Sequence, residues 1–162
     1  MALDEEKVDK NFEKVKLEAE EWYASVDEVE CPYFNDTVAF NKKGITHIKF
    51  KKDKVARDRA DQFMRLKHIR FAQRILEKSK TLQEYGEDRR LEEQKAEGKK
   101  ELMLQDVKYY GFVAIIKDDF GLKRLKIIVK QVGGGKPYFW SIIPFWKRNK
   151  ELKLHAGDLE ED

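Results

Sequence analysis

His47 is the side chain best suited to transfer a proton at neutral pH, and it lies in the most basic part of the chain. Residues 41–80 hold fourteen Lys and Arg residues against four acids, a local charge of +10 in a chain whose overall charge is +3. An imidazole can take the proton of a ribose 2′-hydroxyl without a metal ion. Nearby cations could bind the phosphate and stabilise its developing charge. Those cations are Lys49, Lys51, Arg57, Arg59 and Arg65, with Arg70 further along. The alternative is a structural histidine beside a solvated or purely RNA-binding surface.

Hydroxyl and aromatic side chains near the end of the chain form a second candidate group. Ser141 is the small hydroxyl in the apolar run from Phe139 to Ile143, and it could donate a hydrogen bond to a phosphate oxygen. Tyr138 and Trp140 point to the same side of a strand, where bases could stack on them. The alternatives are that Ser141 is a small residue tolerated in packing and that both aromatics belong to the core.

The composition indicates one globular domain with extensions. The chain has 162 residues, of which 41% are hydrophobic and 12% aromatic, and this aromatic share is too high for a disordered chain. We expect a cytoplasmic protein without membrane association, because no apolar run is long enough for a membrane span and the acidic start is unlike a signal peptide. One cysteine and three scattered histidines predict no metal site, and we expect no cofactor.

Charge divides the chain into three expected parts. Residues 1–30 form an acidic amphipathic helical segment with eleven acids and four bases, residues 31–150 form the main domain, and residues 151–162 form an acidic tail. Within the main domain, residues 81–100 are polar, and we expect a mobile excursion there, in part helical. The acidic ends either offset the basic domain for solubility or shield its surface when nucleic acid is absent.

Two segments have the apolar spacing of amphipathic helices. In the first helix, Val8, Phe12, Val15, Ala19, Trp22 and Val26 form one stripe. This stripe could pack on the domain's own sheet or bind a protein partner or inhibitor. From about Ala56 the spacing predicts a second helix, which carries the basic residues.

The remaining segments predict extended structure. Residues 33–41 read as an extended segment, and residues 42–44 as a turn. Residues 107–117, 122–132 and 138–145 read as strands joined by short turns, which gives a three-strand antiparallel meander. The expected fold is α+β, with the N-terminal helix and the basic helix packed on an antiparallel sheet that ends in this meander.

Two runs of sequence carry a resemblance to a known group of nucleases. The run from Gly44 to Lys49, Gly-Ile-Thr-His-Ile-Lys, precedes the arginine-bearing helix, and the aromatic run from Tyr138 to Trp146 closes the meander. Together they resemble the superfamily that includes barnase, EndoU, the tRNA-cleaving colicins and RelE, particularly its bacterial and phage members. The resemblance covers about residues 33–148. The aromatic terminal strand is also similar to that of small bacterial proteins of unassigned role.

The resemblance implies a metal-independent ribonuclease domain whose activity is often used as a toxin or in phage conflict. It would place the catalytic histidine of the family at His47 and its late-strand hydroxyl at Ser141. It would place the phosphate-binding cations at Lys49, Arg57, Arg59 or Arg65. Several members carry a second acid–base residue in the last strands. Such a residue is not evident in this sequence, in which the nearby titratable substitutes would be Lys108, Lys117, Lys130 and Lys147.

Two functions therefore follow from the sequence as hypotheses. The first is a ribonuclease that cleaves single-stranded or tRNA-like RNA by 2′-hydroxyl attack, with His47, Lys49, Arg57, Arg59, Arg65 and Ser141 in catalysis and Lys51, Arg70, Tyr138 and Trp140 in substrate binding. The second is a noncatalytic RNA- or protein-binding module. Cleavage of RNA in the presence of EDTA would distinguish the two.

Overall fold

The protein is described from a computed structural model that covers residues 2–51, 54–118 and 121–145. Within these residues the elements are α1 (Ala2–Ser25), β1 (Glu28–Cys31), a 3₁₀ turn (Pro32–Phe34), β2 (Asp36–Ala39), α2 (Lys42–Lys49), α3 (Arg59–His68), α4 (Phe71–Lys78), β3 (Glu84–Ala96), β4 (Lys99–Asp118), β5 (Gly121–Val132) and β6 (Tyr138–Phe145). The expected α+β class is confirmed. The acidic tail at 151–162 lies outside the described residues.

One six-stranded sheet, in the order β1-β2-β6-β5-β4-β3, organises the molecule. The meander of β4, β5 and β6 is antiparallel, as the sequence predicted. The sheet as a whole is mixed, because β2 runs parallel to β6 and meets it at Ala39 and Tyr138. The expected antiparallel sheet thus includes one parallel pair, between β2 and β6. A long connection through α2, α3, α4 and the three strands β3, β4 and β5 separates β2 from β6, and such a connection permits parallel pairing.

The main hydrophobic core lies between one face of the sheet and the helices. The stripe of α1 contributes Phe12 and Ala19 to this core, and Trp22 packs against it. Ring stacking of Phe40 on Phe139, with centroids 4.9 Å apart, links β2 to β6. The apolar stripe of α1 thus packs within the protein's own core. The boundary expected at residue 30 falls inside β1 (Glu28–Cys31).

Three local predictions differ from the structure. Residues 42–44 are the first turn of α2 rather than a free turn. The basic helix is divided into α3 and α4, which are separated by Ile69 and Arg70. Residues 81–100, expected as a mobile and partly helical excursion, contain β3 and the beginning of β4, and their cross-strand pairs run from Glu84↔Gly111 to Ala96↔Lys99. In that hairpin the backbone ladder orders a polar sequence that has little apolar surface to bury.

The second face of the sheet holds the polar side chains that matter for function. A small apolar cluster of Val107, Tyr109 and Ile128 lies there, with Trp140 and Ile143 packed against it. Buried charged side chains from β5 share this face, because Lys126 and Lys130 alternate with the core residues Ile127 and Val129. The helices α2 and α3 both contact β6, and they bring further polar side chains to its edge.

The close approach of α2 to β6 depends on Gly44. A Cβ atom at this position would overlap the carbonyl oxygen of Phe139 and lie 2.5 Å from the hydroxyl oxygen of Tyr23. Gly44→Ala should therefore force α2 away from β6 and lower the free energy of unfolding by about 1–3 kcal/mol. Urea denaturation followed by tryptophan fluorescence measures this change.

Gly134→Ala is the matched control, since a Cβ atom there would have no neighbour within 4 Å. It should change the free energy of unfolding by less than about 0.5 kcal/mol. Equal stability of the Gly44→Ala variant and the parent protein would show that the α2–β6 contact is loose.

Candidate active site

His47 is placed against the sheet by the short helix α2. Asn41 begins the helix, and its side chain accepts a hydrogen bond from the Lys43 N–H at 3.1 Å. One turn after Gly44, the His47 ring stacks on the Trp140 ring with centroids 3.9 Å apart and an interplanar angle of 16°. The contact between α2 and β6 thus brings together two residues that lie far apart in the sequence.

A β-bulge in β6 decides which side chains accompany Trp140. Ile128 pairs with Ser141 and Val129 pairs with Phe139, so Trp140 is the extra residue between them. Strict alternation would put Phe139 and Ser141 on one face. With the bulge, Phe139 joins the main core, while Ser141 shares the second face with Trp140. The bulge therefore turns the hydroxyl of Ser141 toward the polar group.

Arg57 binds His47 through both its backbone and its ring. The Arg57 Nε–H donates to the His47 carbonyl oxygen at 3.0 Å, and its terminal nitrogen lies 3.1 Å from His47 Nε2. A guanidinium group has no acceptor, so Nε2 must be the accepting nitrogen and the ring proton lies on Nδ1. In this arrangement the basic lone pair of His47 points at Arg57.

Arg65 reaches the same region from α3. Its side chain donates to Ser141 Oγ at 2.7 Å and to the Ile142 carbonyl oxygen at 3.3 Å. Asp61 accepts from Arg65 Nε at 2.7 Å and lies 3.6 Å from Arg57, so one carboxylate holds both guanidinium groups. Ser141 is fully buried, and its oxygen accepts from Arg65. Ser141 therefore contacts Arg65 and helps to hold its guanidinium group in position.

Lys130 of β5 is the buried cation that sequence reasoning did not assign to the site. Its ammonium group lies 4.1 Å from the centre of the Trp140 ring and 2.8 Å from a carboxylate oxygen of Glu92. Burial lowers the pKa of Lys130, and the hydrogen bond that its ammonium group donates to Glu92 opposes that shift. Lys130 is thus a proton donor of reduced pKa next to the ring on which His47 stacks.

The charges around His47 determine its protonation. Burial, together with the positive charges of Arg57, Arg65 and Lys130, lowers the pKa of the imidazole from 6.5 to about 2. His47 is therefore neutral at physiological pH. Three cations and a neutral base form a compact group, which we call the His47 cluster: His47, Arg57, Arg65, Lys130, Trp140 and Ser141.

Two buried donors beside the His47 cluster have no hydrogen-bond partner among the described residues. These are the indole N–H of Trp140 and the hydroxyl of Tyr138. The two rings lie 6.2 Å apart in an edge-to-face arrangement. A buried donor without an acceptor costs about 1–3 kcal/mol. Donors and cations together would suit a ligand that supplies acceptor oxygens and negative charge.

A comparison of the chain with protein-family models, with curated proteins and with solved structures finds no match. The resemblance to the barnase and RelE superfamily therefore stays a prediction, and the chemistry of the site must be argued from its geometry.

The structure brings together some of the predicted site residues and separates others. His47, Arg57, Arg65, Ser141, Tyr138 and Trp140 meet on the second face of the sheet. Lys49 instead forms an ion pair with Glu20 of α1. The Arg59 guanidinium lies 5.0 Å from the centre of the Phe12 ring. Lys51 and Arg70 are exposed and belong to no part of the cluster.

Sequence reasoning missed Glu92 and Asp61, and it named Lys130 only as one of four lysines near the last strands. Lys130 does carry a sequence signal, because it is a charged residue that directly follows the apolar run from Ile127 to Val129. Asp61 and Glu92 carry no such signal, since both lie in segments rich in charge. Their roles depend on contacts across the fold.

Within the described ranges, no group of three or more His, Cys, Asp or Glu side chains is arranged to hold a metal ion. In the same ranges no helix has the length and apolar character needed to cross a membrane.

The lowered pKa of His47 predicts a loss of stability in acid. The unfolded chain binds the imidazole proton near pH 6.5 and the folded protein only near pH 2, so stability is complete above pH 6.5 and falls below it. Between pH 6.5 and pH 5 this one group should cost about 2 kcal/mol. Urea denaturation at pH 7 and pH 5 measures the loss.

His47→Gln keeps an acceptor for Arg57 but removes the titrating ring, so its stability should fall less between these two pH values. The difference between the two proteins isolates His47 from the carboxylates, which titrate in both. Identical losses in the parent and His47→Gln would mean that the imidazole protonates freely in the folded state.

Proposed function

We propose that this protein is a metal-independent endoribonuclease that cleaves RNA by attack of the ribose 2′-hydroxyl on the adjacent phosphate. The observation that supports this most is the His47 cluster, in which a neutral imidazole lies among three buried cations. A neutral imidazole can accept a proton, and the cations match the charge of a phosphodiester. The two unpartnered donors of Trp140 and Tyr138 add hydrogen bonds for phosphate oxygens.

Each residue of the cluster has a distinct task in this reaction. Arg57 and Arg65 bind the non-bridging oxygens of the phosphate and stabilise their charge as the pentacoordinate state forms. Ser141 and Asp61 position Arg65. Trp140 holds the His47 ring by stacking and can donate its indole N–H to the phosphate.

Two residues carry out both proton transfers of the cleavage step. His47 Nε2 takes the proton of the 2′-hydroxyl as its oxygen bonds to phosphorus. The bond from phosphorus to the 5′-oxygen breaks, and Lys130 gives that oxygen a proton. The products are a 2′,3′-cyclic phosphate and a free 5′-hydroxyl, and water returns a proton from His47 to Lys130.

Substrate binding must change two features of the His47 cluster. The basic lone pair of His47 is engaged by Arg57, so Arg57 has to turn toward the phosphate before His47 can act. The negative charge of the phosphate then offsets the cations, which raises the pKa of His47 from about 2 toward the range of a useful base. Binding and activation of the base are therefore coupled.

Noncatalytic RNA binding is the second candidate, and a specific observation favours it. His47, Arg57 and Lys130 are exposed by only 8%, 4% and 5%, whereas Lys51 and Arg70 are exposed. Surface cations of this kind bind the phosphate backbone without cutting it, with strong dependence on salt. In that case the cluster would be a buried polar network that holds α2 and α3 against the sheet.

RNA cleavage in the presence of EDTA tests the first proposal. The parent protein should produce fragments that end in a cyclic phosphate, and His47→Ala should cut about 10² to 10⁴ times more slowly. Arg57→Ala should also be slow, because a phosphate ligand is lost. Arg59→Ala is its matched control and should retain nearly the parent rate, since Arg59 lies against Phe12. Intact RNA with a salt-sensitive gel shift across a broad substrate panel would instead establish the binding module.

The role of Lys130 has its own test. Lys130→Ala should slow cleavage of ordinary RNA, whereas Lys108→Ala, a change at a partly exposed lysine of β4, should not. A 5′-bridging phosphorothiolate leaves as a thiolate and needs no proton, so Lys130→Ala should cut that substrate at close to the parent rate. His47→Ala should remain slow on both substrates. An equal defect of Lys130→Ala on both substrates would assign Lys130 to folding or phosphate binding.

A further inference from the structure

The outer edge of β4 is incompletely paired near its C-terminal end. Among the described residues, β3 pairs with β4 only from Glu84↔Gly111 toward the hairpin, while β4 continues to Asp118 with β5 on its other side. Residues 112–118 of β4 therefore have a strand neighbour on one side. This edge lies on the side away from β5, and it is independent of the His47 cluster.

Hydrogen bonds at the start of this edge show which backbone groups face outward. Gln83 N–H donates to the Gly111 carbonyl oxygen at 3.2 Å, and Val113 N–H donates to the side-chain oxygen of Gln83 at 2.8 Å. In an antiparallel sheet the backbone groups of alternate residues point the same way. Ile115 and Lys117 therefore continue the series, and they present their N–H and C=O groups to the same side.

A groove of about 490 Å³ runs along this edge between α4 and β4. Ile75 of α4 and Ile116 of β4 contribute to its apolar walls. The Ile115 side chain is 63% exposed beside it. We call this the β4 groove. It combines an open strand edge with apolar surface, which is the arrangement that binds extended peptides by strand addition.

The charge of the β4 groove has one sign. Arg74, Lys78, Lys80 and Lys117 line it, and no acidic side chain does so within the described part of the chain. In the same part of the chain these four cations form no ion pair, in contrast to Lys126 and Lys130, which pair with Glu84 and Glu92. A ligand of the groove should therefore be acidic.

We propose that the β4 groove binds an acidic, extended segment of a partner protein, which adds to the sheet as a strand beside residues 113–117 and in line with β3. A peptide fits better than RNA, because the open edge presents donors and acceptors in alternation and a phosphodiester supplies acceptors alone. At about 3.3 Å per residue, the five residues of the edge match a bound segment of about five residues. Its acidic side chains would meet the four cations.

The test uses the full chain and a fluorescein-labelled acidic hexapeptide, Glu-Val-Glu-Ile-Glu-Val, with fluorescence anisotropy as the readout. The parent protein should bind it, and the double reversal Arg74→Glu/Lys78→Glu should weaken binding about tenfold or more. The matched control is Lys99→Glu/Lys100→Glu, which makes the same change in net charge at exposed positions of the hairpin. It should change the affinity less than about twofold.

Strand addition is distinguished from simple charge attraction by the backbone. Binding should slow hydrogen exchange at the amides of Ile115 and Lys117, and Ile115→Pro, which removes one outward N–H, should weaken binding. The exchange measurement decides the point even if Ile115→Pro fails to fold. The proposal is overturned by absence of peptide binding, by equal binding to the Arg74→Glu/Lys78→Glu variant, or by a single-stranded RNA that displaces the peptide from the groove. The ribonuclease proposal is unaffected by any of these results, because the groove lies outside the His47 cluster.

Discussion

The contact between Gly44 of α2 and the backbone of Phe139 is the constraint on which the candidate site depends. The helix can approach β6 this closely only because Gly44 has no side chain. Residues three apart on a helix share a face, so the same approach brings His47 onto Trp140. The aromatic packing of Tyr23, Phe40 and Phe139 supports the contact from the core side. The position of α2 therefore also fixes the geometry of the candidate site.

Burial of several charges near His47 requires internal compensation. Asp61 lies between Arg57 and Arg65, and Glu92 binds Lys130. An unpaired buried charge would be strongly destabilising, so these two acids allow the cations to remain inside the fold. These ion pairs hold the three cations in fixed positions relative to one another. In a catalytic reading this order reduces the reorganisation needed in the transition state, while Arg57 remains the one group that must move.

The two faces of the sheet have separate roles. One face packs against the helices and forms the main core, to which β5 contributes Leu125, Ile127 and Val129. The other face carries the polar cluster, and the bulge at Trp140 adds Ser141 to it. The β4 groove lies beside α4, at a strand edge that the hairpin of β3 and β4 leaves open. Because the groove and the His47 cluster share no residue, a partner protein in the groove would leave the cluster uncovered.

The sequence by itself determined the elements whose apolar spacing is strong. The apolar stripe of α1 and the aromatic and β-branched runs of β5 and β6 follow directly from which side chains must be buried, so these elements were predicted correctly. The hairpin of residues 81–100 was missed, because its order comes from backbone pairing rather than from apolar burial. Helix α2 was missed because its eight residues are too few to show a clear period and because Lys-Lys-Gly is typical of a turn.

The candidate site was predicted in part for the same physical reason. Sequence identified His47 and the basic segment around it, since residue type and local charge are properties of the chain alone. Which cations reach His47 was decided by tertiary structure: α3 turns Arg65 toward β6, whereas Arg59 faces Phe12. Lys130 and Glu92 meet because β5 and β3 flank β4, which no local pattern encodes. The sequence specifies the chemistry of each side chain, but the burial of side chains, their pairing and their resulting pKa values arise only when distant segments pack together.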